Sequence, residues 1–368
     1  MDCSYYAAGR CRSCTLLEIG YPQQLVSKQA VARDAVGPTA WEEPFRSAEA
    51  GFRNKAKMVV AGTVEAPSLG ILDGAGLGVD LVGCPLHEAP VAAALPVLRE
   101  LVTRARLTPY SVPERRGELK HVLVTASPAG ELMVRFVLRS TEALPRLRKH
   151  LPWLRERLPH AVVVSANLLP QHAALTEGRE EVPLTENQLL TMRMNDVDLL
   201  LRPGGFFQTN SAVAAGLYRT AAAWVDDAAP GSVTDLYCGV GGFALHLARP
   251  GREVVGVETS AEAVDGARLA ARRRGSTARF EVGDATAAGD LGADLVVVNP
   301  PRRGIGALAP RLEASAARLV LYSSCNPSTL ARDLAAMPSL RPVRAQLFDM
   351  FPQNHHAEVL VLLERSGV

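Results

Sequence analysis

Asp235-Leu-Tyr-Cys-Gly239-Val-Gly241-Gly242-Phe-Ala244 is the stretch on which the fold of this chain turns. It closes a β-branched, apolar run (233–237), and Gly239, Gly241 and Ala244 fit a G-x-G-x-x-A pattern. Glycines let the backbone turn sharply and let a ligand lie against it without a Cβ in the way. Alone, the pattern fits any nucleotide-type cofactor. Its surroundings say more. From about residue 191, strand-like runs (233–237, 253–257, 279–282, 295–298, 319–322, 345–348 and 359–363) alternate with helix-like ones. That alternation predicts a doubly wound, Rossmann-like α/β domain.

Such sheets bind ligands at the carboxyl ends of their strands, so the residues there are the candidates. The second run ends at Glu258, nineteen residues after Gly239, where a carboxylate can bond ribose hydroxyls. The third ends in Gly283-Asp284, suited to face an adenine ring. NAD would satisfy these features equally. The fourth run ends in Asn299-Pro-Pro-Arg302, a loop of methyltransferase rather than dehydrogenase type, which favours S-adenosylmethionine. An aromatic after Asn-Pro-Pro would suit methylation of an amino nitrogen; Arg302 counts against that.

The fifth run leads into Tyr322-Ser-Ser-Cys325-Asn. A buried cysteine is usually an inert small hydrophobe, but polar neighbours at a strand's carboxyl end favour a reactive thiol, with Arg302 or Arg303 expected to lower its pKa. Glu358 opens the last run beside His355 and His356 and is a candidate general base. A histidine pair with a glutamate also resembles a metal site, although no further ligand stands nearby. Nucleophile and base together suit methylation of uracil C5. That carbon is a poor nucleophile until a thiolate adds at C6, and a base must afterwards remove the C5 proton.

The rest of the chain frames this domain. Its 368 residues carry 40 Lys+Arg against 38 Asp+Glu, so no strong overall field draws in nucleic acid. Hydrophobic residues at 48% and charged residues at 21% exclude disorder, collagen and coiled coil as the main architecture. No apolar run approaches the ~18 residues of a membrane span. The N-terminus has neither a basic nor an apolar leader segment, so a cytoplasmic protein is expected. Cys3, Cys11 and Cys14 form C-x7-C-x2-C, and Cys84 follows in Val-Gly-Cys-Pro. Four thiolates suffice for one Zn ion or one [4Fe–4S] cluster, and spacing does not separate the two. Three parts are expected: a cysteine-bearing segment (1–44) with a helix over 21–36, a central α+β domain (45–190), and the methyltransferase-like domain (191–368). In the central part, 57–64 and 132–138 read as strands and 87–105 and 142–158 as helices. Two local basic patches, 46–60 (Arg46, Arg53, Lys55, Lys57) and 99–121 (Arg99, Arg104, Arg106, Arg115, Arg116, Lys120), fit an RNA-facing surface.

Nearly end to end, the chain resembles the RNA uracil-C5 methyltransferases, and among them the branch acting on 23S rRNA. The resemblance rests on the four cysteines, Gly-Phe-Arg-Asn-Lys-Ala-Lys-Met (51–58), Arg202-Pro-x-x-Phe-Phe-Gln208-Thr-Asn210, the glycine loop, Asn-Pro-Pro-Arg-Arg-Gly (299–304), Ser-Ser-Cys-Asn (323–326) and Phe-Asp-Met-Phe-Pro (348–352). It implies Cys325 as nucleophile and Glu358 as base. It implies S-adenosylmethionine contacts at Gln208, Tyr237, Glu258 and Asn299, and [4Fe–4S] ligation by Cys3, Cys11, Cys14 and Cys84. The implied substrate is an rRNA hairpin presenting a flipped uridine, with no DNA or membrane partner and a monomeric enzyme. Asn354 and Ala357 depart from the family pattern. A tRNA uridine, or a non-catalytic iron–sulfur RNA-binding or ribosome-assembly factor, are the alternatives; the Cys325/Glu358 pair argues against the second.

Overall fold

The structure, a computed structural model, describes residues 1–287, 289 and 291–367. It divides into two compact units: residues 1–14, 50–192 and 202–204 in the first; 15–49, 193–201 and 205–367 in the second.

The first unit is built on a seven-stranded sheet in the order Gly78–Asp80, Pro67–Leu72, Lys55–Gly62, Leu119–Ala126, Leu132–Leu138, Ala161–Leu168, Glu180–Pro183. All neighbours are antiparallel except Leu132–Leu138 and Ala161–Leu168, which are parallel and joined through the helix Leu144–Arg157. A parallel pair needs such a crossover. In Lys55–Gly62 the side chains alternate: Ala56, Met58 and Val60 are buried, while Lys57 is exposed. The buried row packs with Val91, Leu95 and Leu98 of the helix Ala89–Arg104 and with Phe136 and Val164.

The second unit holds an eight-stranded sheet ordered Ala40–Trp41, Leu340–Phe348, Glu358–Arg365, Leu319–Ser324, Leu295–Val298, Ser232–Leu236, Glu253–Glu258, Arg279–Val282. The neighbours from Leu319–Ser324 to Arg279–Val282 pair in parallel, as the expected Rossmann-like pattern requires. Glu358–Arg365 runs antiparallel to both of its neighbours. This reversal has a functional consequence. The first residue of an antiparallel strand lies at the same edge as the last residues of its parallel neighbours, so Glu358 meets the end of Leu319–Ser324.

The division of the chain differs from the sequence-based one at 44/45, because residues 15–49 cluster with the sheet of the second unit. The helix Tyr21–Val36 buries Tyr21, Leu25, Ala32 and Val36 in one core with Leu347, Val359 and Val361. Ala40–Trp41 then adds a parallel edge strand to Leu340–Phe348. The helix Ser211–Ala228 opens at Asn210, whose side chain accepts a hydrogen bond from Val213 N at 3.2 Å. Among the described residues, no helix is long and apolar enough to cross a membrane.

Candidate active site

The parallel ladder brings the candidate cofactor residues together at one sheet edge. Asp235 pairs with Gly256 and Leu236 with Val257, so Tyr237 emerges beside Glu258. The loop after Ser232–Leu236 takes up left-handed backbone at Tyr237 (φ 63°), Gly239 (φ 54°) and Gly241 (φ 85°). At Gly241 a Cβ would also stand 3.0 Å from the Phe280 ring, so glycine is required twice over. Glu258 is tied into this loop: its Oε2 accepts from Gly239 N at 3.2 Å, and its Oε1 accepts from Thr259 Oγ1 and Ser260 N, both at 2.9 Å. These three bonds leave one acceptor site, on Oε2, open to a ligand hydroxyl. Asp284, beyond Arg279–Val282, is exposed and accepts from Thr286 N and Oγ1 at 2.8 Å, bonds that hold its carboxyl below the ordinary aspartate range. Burial, then the Asp284 charge, pushes the Tyr237 phenol up. Asn299 follows Leu295–Val298 on the other flank of the glycine loop. Gln208 is 7% exposed and precedes the capping Asn210 by two residues.

Beneath the loop Asp235 is fully buried. Its Oδ2 accepts from Ala244 N at 2.9 Å, and its Oδ1 has no protein partner. Burial raises this carboxyl to about 7.

Cys325 and Glu358 arrive from adjacent antiparallel strands, where Ser323 pairs with Leu360 and Ser324 with Val359. Glu358 is 3% exposed, and Ser323 Oγ donates to its Oε1 at 2.5 Å. Burial raises this carboxyl to about 7, against the pull of the Ser323 bond. A base poised near neutrality fits proton removal at ordinary pH. Cys325 is half-buried. The expected lowering of its thiol pKa is not what the structure gives. Arg302 does pull it down, but burial first and the Glu358 charge second outweigh the guanidinium, so the thiol sits above its ordinary value. Arg303 acts elsewhere, on Tyr237 and Asp284.

The Asn-Pro-Pro-Arg loop is anchored to the helix Pro327–Ala335 that follows Cys325. Asn326 caps that helix and donates through Nδ2 to Arg302 O at 2.9 Å. Asp333, 2% exposed, accepts from Ile305 N and Tyr322 OH, both at 2.8 Å, and so ties this loop to the strand that precedes Cys325. Gly304 (φ 77°) passes so close that a Cβ would clash with the Asp333 carboxylate at 2.2 Å. His356 is exposed and stands 2.8 Å from an Arg302 nitrogen; it is a partner of the arginine, and no metal site forms around the two histidines and Glu358 among the described residues. Phe207 is core at 5% exposed, whereas Phe206 is open at 73%.

In the first unit the four N-terminal cysteines share one neighbourhood. Burial, then Cys84, Cys11 and Cys3 in that order, pushes the Cys14 thiol up to about 11. All four are free and partly exposed, and Tyr5 OH accepts from Gly83 N at 3.0 Å beside them. Among the described residues, no three His, Cys, Asp or Glu side chains converge as a finished metal site. The donor set still fits a metal centre: these thiols repel one another's charge, and a cationic centre would remove that penalty. Arg53, read from sequence as part of a basic patch, lies within electrostatic reach of Cys84 and Cys14. Lys120, in the second patch, is 5% exposed and donates to Gln171 O at 2.6 Å, while Arg106, Arg115 and Arg116 remain exposed. Ser323, Asp333 and Asp235 were given no role from sequence. Their places beside Cys325 or Gly239 were the available signal, but their partners come from other strands.

Comparison with known proteins agrees with this geometry. A family profile described as tRNA (Uracil-5-)-methyltransferase matches residues 279–366, and one described as Methyltransferase small domain matches 220–320. The chain is 49% identical over 376 residues to the 23S rRNA (uracil(747)-C(5))-methyltransferase RlmC of Serratia proteamaculans, covering 100% of each protein. It is likewise 49% identical over 374 residues to the RlmC protein of Yersinia pseudotuberculosis, covering 99% of each. Among solved structures it is similar to the Pyrococcus abyssi tRNA (uracil-54, C5)-methyltransferase in complex with S-adenosyl-L-homocysteine. The TM-score is 0.79 at 25% identity, covering 95% of this chain and 85% of that one. Full-length identity at this level, with the same fold and the Cys325/Glu358 pair at the sheet edge, means that the chain belongs to the RlmC family of RNA uracil-C5 methyltransferases.

Proposed function

We propose that this protein transfers a methyl group from S-adenosylmethionine to C5 of one uridine in 23S rRNA, the uracil-747 position for which its relatives are named. The observation that carries the reading is the meeting of Cys325 and Glu358 on antiparallel strands, at the edge where Glu258, Asp284 and the glycine loop also stand. Gln208, Tyr237, Glu258, Asp284, Asn299, Gly239 and Gly241 bind the donor. Glu258 takes a ribose hydroxyl with the Oε2 acceptor site that Gly239, Thr259 and Ser260 leave open.

The Cys325 thiolate adds to C6 of the flipped base, and the C5=C6 electron pair moves on to C5, which takes the methyl group from the sulfonium. Glu358 removes the C5 proton; the double bond re-forms and expels the thiolate. Burial raises both pKa values, and the Glu358 charge raises that of Cys325 further, so in the free enzyme they favour neutral forms. The Arg302 guanidinium favours the thiolate. Flipping is required because C5 and C6 are not reachable within a base stack.

Cys3, Cys11, Cys14 and Cys84 would hold a [4Fe–4S] cluster, a structural centre that ties the N-terminal segment to the 81–88 loop. Exposed Arg106, Arg115 and Arg116 are suited to phosphate contacts on an rRNA hairpin. The enzyme acts as a monomer in the cytoplasm.

The test is tritium release from unmodified transcripts carrying [5-³H]uridine, with 23S rRNA and bulk tRNA in parallel. Release from 23S rRNA alone is expected. Release from tRNA alone would keep the chemistry and overturn the substrate. No release from either, with RNA and S-adenosylmethionine still bound, would overturn the enzymatic reading.

A further inference from the structure

The segment 349–357 joins Leu340–Phe348 to Glu358–Arg365 and so delivers Glu358 directly. It has no secondary structure of its own beyond turns. What holds it comes from two distant places. From the helix Tyr21–Val36, Lys28 Nζ reaches Asp349 Oδ1 at 2.6 Å and Phe351 O at 3.0 Å, with the lysine side chain 3% and the aspartate 0% exposed. One turn earlier, Gln24 Nε2 donates to Gln353 Oε1 at 2.8 Å, and its Oε1 accepts from Gln353 N at 3.0 Å. Gln353 needs that grip: it is buried, with left-handed backbone at φ 66°. From the other side, Asn210 Nδ2 reaches Met350 O at 3.5 Å.

A buried ammonium is costly; desolvation lowers the pKa of Lys28 despite its partner. A leucine–valine contact would hold a helix to a sheet more cheaply. The ionic version fixes direction as well as distance: one ammonium joins the side chain of Asp349 and the carbonyl two residues on. Phe348 pairs with Glu358 across the hairpin, so Asp349 is the residue immediately after the base's own cross-strand partner.

From this we infer that Lys28, with Gln24, is a positioning residue for the deprotonation step. It holds the 349–353 turn so that Glu358 faces the C5 proton, while playing no part in thiolate addition. The inference rests on the proposed chemistry. A misplacement of about 1 Å at a reacting group can cost about 100-fold in rate, and the loss should fall on one step only.

The test separates the steps by substrate. 5-Fluorouridine RNA requires Cys325 addition and methyl transfer but has no C5 proton to remove, so it halts as a covalent complex. Uridine RNA requires Glu358 as well. Lys28→Met is expected to form the 5-fluorouridine complex at the wild-type rate and to release tritium from [5-³H]uridine RNA about 10- to 100-fold more slowly. The methylated covalent adduct should accumulate, and Lys28→Arg should restore part of the rate. The double variant Lys28→Met/Asp349→Asn removes the orphaned buried carboxylate and guards against misfolding; it should bind S-adenosylmethionine normally and stay slow in tritium release. Wild-type tritium release by the double variant, or equal slowing of both substrates by Lys28→Met, would overturn the positioning role. The wild-type arm reports separately on the chemistry: absence of tritium release there would sink the parent reading, not this one.

Discussion

Replacing Glu358 by glutamine should make the protein more stable at high pH while stopping the reaction, and the size of the effect follows from one carboxyl. In the fold Glu358 titrates near 7; in the unfolded chain it returns to its ordinary 4.5. The native state therefore holds its proton more tightly. Below pH 4.5 both states are protonated and the group contributes no penalty. Between 4.5 and 7 the unfolded state ionises first, and stability falls as pH rises. Above 7 the penalty is complete, about 3 kcal/mol from a shift of roughly 2.5 units at 1.36 kcal/mol each. Glutamine has no charge to bury and can still accept from Ser323 Oγ. An unpaired NH2 group there costs about 1–3 kcal/mol, and that cost is the same at every pH. The stability difference between Glu358→Gln and wild type should thus move by about 2–3 kcal/mol in favour of the variant between pH 5 and pH 8. Urea denaturation of both proteins at the two pH values measures it, with tritium release recorded on the same samples. A difference that stays constant with pH would mean that the carboxyl is not the buried neutral acid described here. Residual tritium release near the wild-type rate would remove it from the reaction.

Cys325→Ala should abolish methyl transfer and the 5-fluorouridine complex, with RNA retention on filters unchanged; equal loss of binding would speak against a nucleophile. Gly241→Ala forces a side chain into left-handed backbone against Phe280 and should cost about 1–2 kcal/mol of stability and weaken S-adenosylmethionine binding, read by calorimetry. Cys14→Ser should lower the iron bound per chain and the melting temperature of anaerobically prepared protein, and unchanged iron content would remove Cys14 from the ligand set.

The parts of this fold that the sequence made legible are those where strand pattern and burial coincide. The runs at 279–282 and 295–298 match the observed strands at both ends, as does the helix over 21–36. Leu295–Val298 lies inside the parallel sheet, is buried at every position and reads as a continuous apolar run ending at Asn299, whereas Arg279–Val282 is an edge strand in which only Phe280 is buried, marked by the Gly283 that follows it. The strand Leu119–Ala126 was not legible, because Lys120 and His121 interrupt its apolar pattern; Lys120 is buried with its amine on the Gln171 carbonyl. In the helix Ser211–Ala228 the outward face is shared between Arg219, Asp226 and the alanines Ala212 and Ala223, so its polar stripe is sparse. At the site, the residues at strand ends could be named one by one, since topology alone predicts where ends gather. Partnerships could not. Lys28 and Asp349 are 321 residues apart, and Ser323 meets Glu358 only because the last strand is reversed. Arg53 shows the converse: its sequence neighbours are basic, but its electrostatic neighbours are thiols.

The second unit is discontinuous in sequence, and this sets a timetable for its birth. The helix Tyr21–Val36 leaves the ribosome early, yet the strand it must cover, Glu358–Arg365, is the last to be made. At about 5–20 residues per second, the helix waits on the order of half a minute with its apolar face and Lys28 unsatisfied. The nascent chain has to shelter that helix, or recapture it, before the site can close around its base. A methyltransferase unit begun at residue 205 would never receive it. Such a fragment would keep the glycine loop, Cys325 and Glu358, and would lack the Lys28 and Gln24 contacts to the turn that leads into the last of these.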